Sequence, residues 1–74
     1  MNSVQSIERA LSLMEEAARQ PGGLVDLARR TDLPVSTAAR ILGTLEGAEA
    51  VKRSTDGSYR IGSLVRSKIG RAHV

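Results

Sequence analysis

Residues 24–45 constrain this chain more than any other stretch, because they must form two short helices with almost nothing between them. A helical pattern over about 25–31 turns Leu27 and Ala28 inward and leaves Arg29 and Arg30 to solvent. Thr31, Asp32 and Leu33 then break the pattern, with room only for a tight turn. Pro34 follows, and it suits a first helical position, which needs no amide donor. A third helix runs on to about Glu46. Two short helices across a turn of three or four residues, with a small residue on the first, form a helix-turn-helix. Ala28 is that small residue, and a bulkier side chain there would push the helices apart.

The flanking segments complete a domain around this unit. Upstream, Val4, Ile7, Leu11, Met14 and Ala18 recur at intervals of three and four, with Ala10 and Ala17 beside them. That spacing predicts an amphipathic helix over about 4–19, its apolar stripe packed into the core. Ser3 is placed to cap it, and Gln20, Pro21, Gly22 and Gly23 end it. Leu24 is expected as a very short strand. Downstream, residues 50–54 and 59–61 read as two strands around Thr55, Asp56, Gly57 and Ser58, where Asp-Gly signals a hairpin turn. Val51, Tyr59 and Ile61 would face the core, and Lys52 and Arg60 solvent. Gly62 and Ser63 open a last helix, capped by Ser63, with Leu64 and Val65 early in it. The expected order is α-β-α-α-β-β-α. This is a mainly α fold with a small β-hairpin, a winged helix-turn-helix over 3–63, followed by the start of a linker helix over 64–68.

Composition removes most catalytic readings. The 74 residues include no cysteine, and the only histidine is His73. No catalytic residue, metal site or cofactor is therefore expected, since nucleophilic triads and thiolate or imidazole metal sites lack their side chains. Glu15 with Glu16, and Glu46 with Glu49, read as helix surface rather than as an acid-base pair. No apolar run approaches the roughly 18–20 residues needed to span a bilayer, and Met1, Asn2 and Ser3 do not begin a secretory signal. A cytoplasmic protein without membrane contact is expected. The net charge of +3 is unevenly spread: residues 1–28 balance to −2 and residues 29–74 to +5. A polyanion on one side would require such an asymmetry.

The third helix is where sequence information could be read. At about 100° per residue, Ala38, Ile41, Leu42 and Leu45 cluster on one side. Opposite lie Ser36, Arg40, Gly43 and Gly47, flanked by Thr37 and Thr44 on one edge and Ala39 on the other. Small residues let a helix enter the major groove deeply, and arginine can bond guanine in bidentate fashion. Ser36 and Thr37 can bond phosphate or base edges at the helix start, and their plainer role is first-turn capping. The plainer role for Arg40 is a solvated cation. In the hairpin, Lys52, Arg53 and Arg60 suit a sugar-phosphate backbone or an adjacent minor groove, and charges on an edge ribbon also discourage aggregation.

These residues carry a family resemblance. The run from Leu24 to Thr37, continued by Arg40, Ile41, Leu42, Thr44, Leu45 and Glu46, resembles the N-terminal DNA-binding domain of the isocitrate-lyase-regulator (IclR) family of bacterial transcription factors. Residues 4–11 resemble that family's first helix, and residues 56–62 its wing and exit. The resemblance implies a repressor or activator that binds double-stranded operator DNA as a homodimer paired through the first helix. It also implies a small-molecule effector bound by a larger C-terminal domain absent from these 74 residues. Several positions depart from the family pattern. Val35 replaces a frequent lysine, Asp32 the turn glycine, and Val25 a capping Ser or Thr, a change expected to fray the second helix by about 1 kcal/mol. Ala50 replaces an aromatic and Glu49 a glycine, while Gly47 sits earlier. Residues 69–74 resemble the translation of a sequencing-adapter read and are expected to be a non-native tail; without them the net charge is +2.

A winged helix built for protein contact would expose an apolar patch on the third helix, where Ser36, Arg40, Gly43 and Gly47 offer none. An enzyme would need converging acids, bases or metal ligands, which the chain does not supply.

Overall fold

A computed structural model describes residues 3–63. Helix α1 (Ser3–Arg19), α2 (Leu24–Arg30) and α3 (Val35–Gly47) precede strands β1 (Val51–Arg53) and β2 (Tyr59–Ile61). The strands pair antiparallel, with Val51 opposite Ile61, Lys52 opposite Arg60 and Arg53 opposite Tyr59. Helix α1 lies against α2, α3 and β2, so one core serves all five elements. Leu13 and Ala17, Leu27 and Ala28, Ala38 and Leu42, and Val51 and Tyr59 form that core in pairs from α1, α2, α3 and the hairpin. This is the mainly α winged helix-turn-helix that the sequence predicts. The expected helix at Leu64 and Val65, the linker over 64–68 and the tail over 69–74 lie outside the described residues.

Four local expectations are corrected. Leu24 is not a strand: it opens α2 and packs against the core, while one residue pair, Gly22 with Tyr59, makes the bridge to the hairpin. The Tyr59 amide donates to the Gly22 carbonyl at 2.8 Å. Gly23, extended at φ −77° and ψ 175°, is the N-cap of α2, so Val25 is a helical residue and not a failed cap. Pro34 is likewise the N-cap of α3 rather than its first residue, with ψ 144°. Arg30 does not look to solvent. Its guanidinium donates to the Gln20 carbonyl (2.8 Å), the Glu16 carbonyl (3.3 Å) and the Asp26 carboxylate (2.5 Å). It thus bonds the Gln20 carbonyl just past α1, adds a second bond to the Glu16 carbonyl that already accepts from the Gln20 amide, and holds the Asp26 carboxyl below its usual range.

The largest departure concerns α1. The stripe expected in the core is mostly outside it: Val4, Ile7 and Leu11 are 69%, 58% and 58% exposed, and Ala18 is exposed too. Leu13 and Ala17 are buried instead, flanked by half-buried Ala10 and Met14. The buried edge lies roughly a quarter turn round the helix from the predicted one. Short Ala10 and Ala17 let α1 approach its neighbours closely, and Leu13 fills the space between them. The apolar arc of α1 is therefore wider than the core can cover. Ser3 is itself the first helical residue, so the cap of α1 lies outside the described residues.

Helices α2 and α3 end in the same motif. After α2, Asp32 has φ 58°, its amide donates to the Arg29 carbonyl, and the Leu33 amide reaches back to Ala28 at 2.9 Å. After α3, Glu49 has φ 65°, its amide donates to Glu46, and the Ala50 amide reaches Leu45 at 2.8 Å. These are Schellman closures with an acidic residue in the left-handed position that glycine usually holds. Aspartate tolerates that conformation better than glutamate, and a carboxylate opposes the negative end of the helix dipole. Glu49→Gly is accordingly expected to stabilise the domain by about 0.5–1 kcal/mol, read as a raised midpoint in urea.

The hairpin loop is a three-residue turn closed by Ser54 and Ser58. The Gly57 amide donates to Ser54 at 2.9 Å, and the Ser54 amide to Ser58 at 2.8 Å. Gly57, at φ 88°, takes the left-handed position such loops require. Asp56 accepts from the Ser58 amide and hydroxyl at 3.0 and 2.8 Å, which lowers its pKa. The support it gives the turn is thus present above the usual carboxylate range and lost in acid. At the far end of the wing, a Cβ on Gly62 would collide with the Glu49 carbonyl, so only glycine fits there.

Candidate nucleic-acid interface

Helix α3 is anchored by one face and open on the other. Ala38 and Leu42 are fully buried, and Ile41 and Leu45 pack partly against the core. Ser36, Arg40, Gly43, Thr44 and Gly47 are exposed, while Thr37 and Ala39 are half-buried at the edges. A Cβ built on Gly43 or Gly47 would meet nothing within 4 Å, so neither glycine is required by the domain's own packing. Gly43, in the helix interior, carries the helix-propensity penalty of glycine, about 1 kcal/mol.

The first turn of α3 has no side-chain cap. Capping by Ser36 or Thr37, the plainer reading of these residues, is not what the structure shows. The amides of the first turn, which lack intrahelical acceptors by geometry, remain open beside the two hydroxyls. The Thr44 hydroxyl donates to the Arg40 carbonyl at 3.1 Å. Among the described residues, ion pairs are confined to Arg19 with Glu16 and Arg30 with Glu16 and Asp26, all on α1 and α2. Arg40 pairs with none of them.

The wing brings its three predicted cations together. Lys52, Arg53 and Arg60 line one open hollow of about 400 Å³ with Ser54 and Thr55. The Arg53 guanidinium lies 5.6 Å from the Tyr59 ring centroid, close enough for a cation–π contact that steadies it. Lys52 and Arg60 are direct cross-strand partners. Like charges opposite one another destabilise a ribbon, and an external anion would reverse that penalty.

Other predicted positions serve the scaffold. Ala28 is 1% exposed within the core, where α2 meets α3. Asp32 supplies the left-handed turn residue, Pro34 the N-cap of α3 and Gly57 the hairpin turn. The sequence reading missed Ser6 and Arg9. Both line a groove of about 410 Å³ between α1 and α3, with Thr37, Arg40 and Thr44 along its other wall. A signal was present: Ser6, Arg9 and Ala10 stand at helical spacing of three and four, which puts them on one face of α1. No group of metal-ligating side chains occurs among the described residues, and no described helix is long and apolar enough to cross a membrane.

Comparison with known proteins agrees with this arrangement. Residues 6–54 match the model of the IclR helix-turn-helix domain. No curated protein matches. Among solved structures, an IclR transcriptional regulator from Alicyclobacillus acidocaldarius superposes with TM-score 0.86 at 24% identity, over 95% of this chain and 30% of that one. An IclR homolog from Microbacterium hydrocarbonoxydans complexed with 4-hydroxybenzoate gives 0.78 at 25% identity, over 85% and 27%. The repressor BlcR from Agobacterium tumefaciens gives 0.75 at 27% identity, over 95% and 29%. The chain spans about 30% of the length of these relatives. With the matched segment covering α2, α3 and most of α1, the chain belongs to the IclR family of transcriptional regulators and carries its DNA-binding helix-turn-helix domain.

Proposed function

We propose that the chain is the operator-reading module of a cytoplasmic, metabolite-responsive bacterial regulator and has no enzymatic activity of its own. The observation that carries this reading is the open face of α3: an unpaired Arg40 among small residues, next to an uncapped helix start. Helix α3 enters the major groove, where Arg40 bonds a base edge, Ser36 and Thr37 reach bases or phosphate from the first turn, and Ala39 and Thr44 offer methyl contacts. Lys52, Arg53 and Arg60 hold the backbone. The exposed apolar edge of Val4, Ile7 and Leu11 supports pairing of two copies through α1. Effector binding belongs to the remaining length of the regulator, as the relative complexed with 4-hydroxybenzoate suggests by analogy.

Selection from a randomised duplex pool tests the reading directly. Bound duplexes should converge on a motif, and paired reading heads should select two half-sites about one helical turn apart. Failure to enrich any sequence would refute sequence-specific binding. Lys52→Ala should weaken binding to every duplex alike and reduce the slope of log K against log salt by about 0.9. An unchanged slope would remove Lys52 from the backbone contacts.

A further inference from the structure

We infer that Arg9 of α1 is a phosphate contact, so that DNA is gripped from the α1 side of the reading helix as well as from the wing. This rests on the proposed placement of α3 in the major groove. Arg9 is half-buried, yet it makes no ion pair or side-chain hydrogen bond with any described residue. On one side it borders a cleft with Glu8 and Asp32, neither of which comes within ion-pair distance. On the other side it shares the α1–α3 groove with Thr37, Arg40 and Thr44. A half-buried arginine with no internal partner keeps its guanidinium available to an anion that reaches it from outside. The groove supplies the approach: Ser6 and Arg9 offer polar groups on one wall, Thr37 and Arg40 on the other, above a floor that includes Ala10 and Ile41.

The geometry favours a DNA phosphate over a small free anion. A helix lying in the major groove has a sugar-phosphate strand along each flank. The Thr37 and Thr44 edge of α3, which faces α1 across this groove, marks one flank. An arginine set beside that edge meets the strand that forms the groove wall, and Ser6 can donate a hydroxyl to the same phosphate. A small carboxylate would instead sit in an open groove with most of its surface in water. Arg9 therefore positions the duplex and carries no base information.

The test compares Arg9→Ala with the parent 74-residue chain on the selected duplex and on a scrambled one. Arg9→Ala should weaken binding to both by the same factor, reduce the salt slope by about 0.9, and leave both the thermal midpoint and the selected motif unchanged. Arg9→Lys should recover most of the slope, because a point charge suffices for phosphate. Replacing single phosphates on the strand flanking the reading helix by neutral methylphosphonates should reveal one position at which parent and Arg9→Ala bind equally. An unchanged slope, a change in base preference, or no such phosphate overturns the inference while the DNA-reading function stands. If the parent itself shows no salt-dependent duplex binding, both fall. Loss of stability without loss of slope would make Arg9 a scaffold residue, and saturable binding of free acetate or phosphate with no effect on DNA would assign the groove to a small anion.

Discussion

Leu42→Ala is expected to cost about 2–5 kcal/mol and to lower the thermal midpoint of the domain by more than about 10 °C. Leu42 is the largest fully buried residue of α3. It contacts a core assembled mainly from leucines and alanines, with Tyr59 the only aromatic in the chain. So small a core leaves little reserve, since stabilities of small domains sit near the low end of about 5–15 kcal/mol. Circular-dichroism melts would show the effect, with DNA binding lost in proportion to unfolding. The adjacent Gly43→Ala is the instructive contrast. It adds a methyl on the open face and should stabilise the helix by about 0.5–1 kcal/mol. If that face lies close against DNA, Gly43→Ala will bind less well while melting higher. A melt of Leu42→Ala within about 2 °C of the parent, where about 1 kcal/mol is worth 4–8 °C, would contradict the packing described.

Arg40→Ala is expected to reduce affinity for the preferred duplex by about 1–3 kcal/mol and to relax selectivity at one base position. Arg40 is exposed and unpaired among the described residues, so its removal leaves no buried partner stranded and the melting point should hold. The substitution therefore isolates recognition from folding. Arg40→Lys sharpens the test: it retains the charge and most of the salt dependence, but not the planar fork that bonds guanine through two parallel contacts. Lysine should thus select as loosely as alanine at that position while binding more tightly overall. If both variants enrich the same motif as the parent, Arg40 does not read bases, and the selectivity must come from Ser36, Thr37 or the shape of the duplex.

Local chemistry made much of this domain legible. Pro21, which has no amide to donate, and Gly22 and Gly23, which disfavour helix, end α1. Asp32, already readable as tolerant of left-handed geometry, adopts it at φ 58°. The Asp56-Gly57 step makes its hairpin, and the alternation of Val51, Lys52 and Tyr59, Arg60 places Lys52 and Arg60 outward. Glu49, noted as standing where glycine is usual, turns out to occupy a glycine-like conformation at φ 65°. In each case the relevant preference belongs to a few consecutive residues, so no distant contact had to be known. The candidate site was legible for the same reason: the two faces of α3 differ sharply in residue type.

What the sequence by itself determined was the succession of three helices and a hairpin, the breaks between them and the polarity of α3. Tertiary structure decided which way α1 faces, that Arg30 closes α1 instead of meeting solvent, and that Arg9 shares a groove with Arg40. Periodicity shows that a helix has an apolar arc, but it cannot choose among edges when that arc exceeds the interface available. On α1 the choice fell to the edge with Leu13 and Ala17, where short Ala10 and Ala17 permit close approach and Leu13 fills the core. The reading helix posed no such ambiguity, because its apolar arc is narrow and everything outside it is small or charged.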